Sequence, residues 1–203
     1  MPILADVLVE TLKDDEPRYL QMIESGELVY DRKIVAMARV YQLYVGVDRY
    51  VESLSNCRLV VLLKDGECVY SCYYKVAHSP YFGNRVVQTE VRQAPGRPGI
   101  ARSMMKNYFL KDYDCIRTDL GSTTQGMKMW QTFYDDFRHE LFFYKAQINI
   151  DLRTSDGLSN QDASYTEVAR RVGRIRLGRL HPNWWHDNKA GNVCVIYASN
   201  NPM

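Results

Sequence analysis

A strand-forming run, Val86-Val-Gln-Thr-Glu-Val91, leads into Arg92-Gln-Ala-Pro-Gly-Arg-Pro-Gly-Ile-Ala101. Proline and glycine end the strand there, and a helix begins near Gly99 and runs through Leu110. The first N–H groups of a helix lack internal partners, and the helix dipole adds partial positive charge, so this junction is suited to an anion. Gly96 and Gly99 let the backbone approach a bound group, and Arg97 and Arg102 add positive charge. A pyrophosphate fits such a place. Glycine loops by themselves are mostly turns, so the surrounding elements must carry the reading.

Residues 3–25 read as helical, with a break and restart at Pro17. Residues 30–45 are weakly periodic, and a loop or short helix is expected to follow to about Asn56. Arg58 to Lys64 is a strand by composition, Asp65-Gly66 signals a type I′ turn, and Cys68 to Val76 returns as the partner strand. After the glycine loop, Ile100, Met104, Tyr108 and Leu110 form one helical face. A short strand at Asp114–Asp119 follows. Then come a capped turn and a second helix, with Met127, Trp130, Phe133, Tyr134 and Phe137 at helical spacing. Leu141 to Ile150 closes the region as a strand. Helices and strands in this order predict a mixed α/β (α+β) fold over residues 1–149. Residues 150–203 form an extension. It starts with a polar linker over 151–166, then a short helix or turn at Val168. A β-hairpin follows, with strands at Arg174–Leu180 and Asn192–Ala198 and an aromatic loop between them.

The stretch Val91 to Ala101 resembles the coenzyme A motif of the GNAT (GCN5-related N-acetyltransferase) superfamily, Arg/Gln-x-x-Gly-x-Gly/Ala after a strand. Gly99-Ile100-Ala101 match its end. Gly96 stands where Arg or Gln is usual, and Pro98 removes one N–H donor, while the N–H groups of Arg97, Gly99, Ile100 and Ala101 remain. Arg117-Thr-Asp119, Gly126 and Trp130 are similar to a pattern of phage-encoded GNAT-like proteins. The resemblance covers roughly residues 28–148. It implies a mainly antiparallel central sheet flanked by helices. It also implies acetyl-CoA bound by Val91, Arg92, Arg97, Gly99, Ile100, Ala101 and Arg102, and transfer of the acetyl group to an amine of a small molecule or host protein.

In that reaction the amine must lose a proton, backbone N–H groups of the splayed strand polarise the thioester carbonyl, and a tyrosine protonates the departing thiolate. Glu90 is the candidate base and Tyr134 the candidate acid. Glu90 is equally readable as a solvent-facing strand residue, Tyr134 as a core residue, and Asp119 as the N-cap of the next helix. The departures at Gly96 and Pro98 keep a second reading open, a non-catalytic GNAT-like phage protein that binds a host protein or forms part of the virion.

Composition bounds these readings. The formal net charge is +2, and residues 1–149 hold 19 basic and 19 acidic residues against 7 and 5 in 150–203, so the tail carries the excess. Arg170, Arg171, Arg174, Arg176 and Arg179 lie close to Trp184 and Trp185, a combination that supplies phosphate contacts and stacking surfaces. Nucleic-acid binding through this tail is therefore a third reading. Arg174, Arg176, Arg179, Trp184 and Trp185 serve equally as anchors for a protein partner, or as the two sides of a hairpin packed on the main domain. The five cysteines are odd in number and sit largely in apolar runs, and the N-terminus lacks a basic, apolar leader. Reduced thiols are expected, in a cytoplasmic (host cytoplasm) or particle-borne protein. No apolar run is long enough to span a bilayer. His181, His186, Asp187 and Cys194 match no zinc spacing, and no metal is expected.

Overall fold

The computed structural model describes residues 12–49, 57–79, 83–95, 97–118, 124–149, 167–171 and 192–202. They form an α+β fold with a mostly antiparallel sheet, and the chain divides into two compact units. The first draws on residues 1–75 and 88–111, the second on 76–87 and 112–203.

The first unit opens with α1 (Leu12–Glu24). Leu12, Tyr19 and Met22 bury one stripe of it. Pro17 lies inside this single helix and does not break it. The missing N–H and ring clash of an interior proline cost about 3 kcal/mol, and burial of the Leu12–Tyr19–Met22 stripe offsets that. Next come β1 (Leu28–Ala36) and β2 (Arg39–Val47), an antiparallel hairpin over the weakly periodic stretch; the loop or short helix expected to follow it to Asn56 lies largely outside the described residues. Its turn residues, Met37 and Ala38, both take positive φ (51° and 57°), the type I′ geometry that matches strand twist. Register slips between Tyr30 and Arg32. Among the described residues no strand covers the outer side of β1. The bulge at Asp31 and the run Asp31-Arg32-Lys33 are devices that discourage edge-to-edge pairing.

Strands β3 (Arg58–Lys64) and β4 (Glu67–Ser79) pair around Asp65-Gly66, both at positive φ, as the Asp-Gly signal predicts. β5 (Gly83–Gln93) follows, and the order in this unit is β1-β2-β3-β4-β5. Leu59, Val61, Leu63 and Tyr73 pack with α1 in one buried cluster. The helix α2 begins as Ile100–Met104, passes through a π turn at Met105–Phe109 and ends at Leu110–Asp112. The extra residue of the π turn widens its apolar face, so Met104 and Met105 are both buried, as are Tyr108 and Phe109. Phe109 meets Tyr74 of β4 edge-on at 5.0 Å.

In the second unit, β5 pairs in parallel with β6 (Cys115–Arg117) over only Arg85–Val87. α3 (Thr124–Phe137) lays Phe133 and Tyr134 against Phe143 of β7 (Phe142–Asn149). β8 (Glu167–Arg171) is a strand on β7, not the short helix or turn expected near Val168. Five residues with Val168 among them gain a ladder on an existing strand, which a lone helical turn would not provide. β9 (Asn192–Ser199) pairs with both β6 and β7, giving the order β5-β6-β9-β7-β8. The segment Arg174–Leu180, expected to pair with this strand, lies outside the described residues. No helix among the described residues is long and apolar enough to cross a membrane.

Candidate functional site

The first unit carries the candidate coenzyme loop. β5 ends at Gln93, and the helix starts after Gly99, whose φ of 89° is the left-handed conformation that favours glycine. A Cβ at Gly99 would lie 3.1 Å from the Met37 sulfur and 3.3 Å from Nη2 of Arg102, so the Arg102 guanidinium stands beside the helix start. Nη1 of Arg97 is buried with no hydrogen-bond partner. The N–H of Ala101 donates to Oε1 of Gln93 at 3.4 Å. Ile100 and Ala101 are buried, Val91 is half-buried, and Gly96 lies outside the described residues.

Arg92 is bound to carboxylates. Its Nη1 pairs with Asp15 of α1 and its Nη2 with Glu90. The candidate base is therefore one end of a polar chain through the first unit. Arg18 continues it, with Nη2 donating to Asp15 at 2.9 Å and Nη1 meeting Asp48 at 3.0 Å. Asp48 has no exposed side-chain surface and also accepts from the Tyr73 hydroxyl at 2.5 Å, while Arg18 donates to that hydroxyl at 3.1 Å. Tyr19 donates to Asp15 at 3.3 Å, and Glu16 accepts from the N–H of Cys68 at 2.6 Å. Burial, and then the hydrogen bond to Asp48, hold the Tyr73 phenol well above its ordinary range. For Arg18, burial works to lower the pKa, and the Tyr73 oxygen and Asp48 carboxylate outweigh it, leaving it raised.

Thus α1, β4, β5 and Asp48, the residue after β2, are tied by charge as well as by packing. Asp15, Arg18, Asp48 and Tyr73 escaped the reading of the sequence because their positions are far apart in the chain and match no local motif. Gln93 escaped it as an ordinary strand-end residue.

Glu90 keeps 33% of its side-chain surface exposed. Tyr134 belongs to the second unit, where it is buried edge-on against Phe143 at 4.9 Å between ring centroids. The coenzyme-loop residues and Glu90 are thus brought into one unit, and Tyr134 is in the other. Asp119, Arg174, Arg176, Arg179, Trp184 and Trp185 lie outside the described residues. Among the described residues no three His, Cys, Asp or Glu side chains group as metal ligands.

No protein-family model matches the chain, and no curated protein matches it in sequence.

Proposed function

We propose that the protein is an acetyl-CoA-dependent N-acetyltransferase of GNAT type. The observation that carries this reading is the helix start at left-handed Gly99, where Arg102 stands beside the turn and Nη1 of Arg97 is buried without a partner. A pyrophosphate there would give Arg97 its missing acceptor and meet the positive end of α2.

In the proposed reaction the acceptor nitrogen attacks the thioester carbon and gives its proton to Glu90. The C–N bond forms and the C–S bond breaks. The leaving group would be the coenzyme thiolate; Tyr134, the acid that the resemblance implies, belongs to the second unit. Arg92, bound by Asp15 and Glu90, holds the base in place and is not a phosphate ligand in this scheme.

A non-catalytic GNAT-like module that binds a protein partner is the second reading. It is favoured by Gln93, whose side chain already caps the N–H of Ala101.

Calorimetric titration with acetyl-CoA separates the two. Wild type should bind, and Arg97→Ala should bind about 10- to 100-fold more weakly, the worth of a charge-assisted hydrogen bond, at an unchanged melting temperature. Absence of heat from wild type at millimolar ligand overturns the enzyme reading. Arg97→Ala is the cleaner variant, because any side chain at Gly99 is strained by its φ before a ligand arrives.

A further inference from the structure

Met37 stands in the turn of the β1–β2 hairpin with 58% of its surface exposed, whereas Met22, Met104 and Met105 are buried and Met129 is half-buried. Its sulfur lies over the start of α2, 3.1 Å from the point that a Cβ at Gly99 would occupy. Nη2 of Arg102 is 3.3 Å from the same point. Arg32 of β1 lies over the Tyr108 ring at 5.5 Å and so holds the hairpin against α2. Met37, Gly99, Arg102 and Tyr108 all belong to the first unit. The turn itself is costly, because Met37 and Ala38 both take positive φ, the geometry that Asp65-Gly66 reaches cheaply in the next hairpin. A bulky residue kept at positive φ marks its side chain as the part that is needed.

We propose that Met37 is a modification site whose oxidation to the sulfoxide closes the candidate coenzyme site, an inference that rests on the acetyltransferase reading. A thioether is oxidised where it is exposed and spared where it is packed, so among the described methionines Met37 is the one that hydrogen peroxide reaches first. The sulfur attacks one oxygen of the peroxide, the S–O bond forms and the O–O bond breaks. Sulfur gives up two electrons and the peroxide is reduced. The departing hydroxide takes the proton of the transferred oxygen and leaves as water.

The product differs from the thioether in what it does at Gly99. A thioether is apolar and a weak acceptor. A sulfoxide is polar, and its oxygen accepts hydrogen bonds. Carried on the Met37 sulfur toward Gly99, that oxygen enters the gap between the sulfur and the Arg102 guanidinium. It takes a hydrogen bond from Arg102 in the space that a pyrophosphate needs above Gly99, and its partial negative charge repels the anion. Methionine sulfoxide is reversible by its reductases, so the site reopens when the oxygen is removed.

The test treats the full chain with graded hydrogen peroxide and maps the oxidised methionines by peptide mass spectrometry. Each sample is then titrated with acetyl-CoA by calorimetry, beside a thermal melt. Met37 should gain one oxygen before Met22, Met104 and Met105, with the melt unchanged. The oxidised protein should bind acetyl-CoA about 10- to 100-fold more weakly, the worth of a charge-assisted hydrogen bond. Methionine sulfoxide reductases should restore the affinity. Met37→Leu should hold its own affinity through the same treatment, and Met37→Gln, with a permanent amide oxygen, should bind weakly without peroxide. Two variants keep the test decisive if one of them fails to fold. Oxidation of the buried methionines first, an affinity that Met37 oxidation leaves unchanged, or an equal loss in Met37→Leu overturns the inference and leaves the coenzyme reading standing. No binding by untreated wild type overturns both.

Discussion

Tyr73→Phe removes one oxygen and probes the charge network that ties α1 to the sheet. The lost hydroxyl donates to Asp48 at 2.5 Å and accepts from Arg18 at 3.1 Å, in a carboxylate environment with no solvent access. A hydrogen bond to a charged group contributes about 1.5–3 kcal/mol, so Tyr73→Phe should cost that much. Asp48→Ala leaves the Tyr73 hydroxyl buried without its acceptor, although Arg18 keeps Asp15, and should cost about 3–5 kcal/mol. Because either change abolishes the Tyr73–Asp48 bond, the double variant should cost less than the two singles together, by about 1.5–3 kcal/mol. Urea unfolding followed by circular dichroism, at a common m value, gives all four stabilities. Additivity to within about 0.5 kcal/mol would refute the network as an energetic unit.

Two other perturbations read different parts of the first unit. A Cβ at Gly46 would lie 2.2 Å from the backbone oxygen of Glu27 and 2.9 Å from Leu28, whereas one at Gly66 meets nothing within 4 Å and faces only its positive φ. Gly46→Ala should therefore lower the urea midpoint more than Gly66→Ala, which should cost about 1–2 kcal/mol; the reverse order would refute the packing argument. Burial pushes the Cys68 and Cys72 thiols from 9.0 up to about 12. The unfolded chain gives up these protons first, so their contribution is fully present below pH 9 and is lost as pH rises through about 12. Cys72→Ala should flatten the fall in melting temperature across that window, and an unchanged slope would show that the thiol titrates normally when folded.

What was legible in the sequence followed from local chemistry. Asp65-Gly66 announced its hairpin because Asp-Gly accepts two positive φ values cheaply. Trp130, Phe133 and Tyr134 announced α3 by their spacing, and all three are buried. The β1–β2 hairpin was not legible, because Met37-Ala38 carries no turn signal and takes the same geometry only where flanking strand pairs impose it. At the candidate site, the glycine loop, Arg97 and Arg102 could be named from the sequence. The partnership of Arg92 with Asp15 spans 77 positions, and that of Tyr73 with Asp48 spans 25. Neither leaves a mark on neighbouring residues.

Strand β9 sits between β6 and β7 in the second unit, although the chain makes it after both. On a ribosome adding roughly 5–20 residues per second, β6 and β7 emerge seconds before the strand that joins them. During that interval each exposes backbone donors and acceptors toward a neighbour not yet synthesised, the condition under which strand edges recruit the wrong chain. Because β9 completes two ladders in one step, Cys115 to Ser199 on one side and Phe142 to Ser199 on the other, closure of this unit is a late event in synthesis.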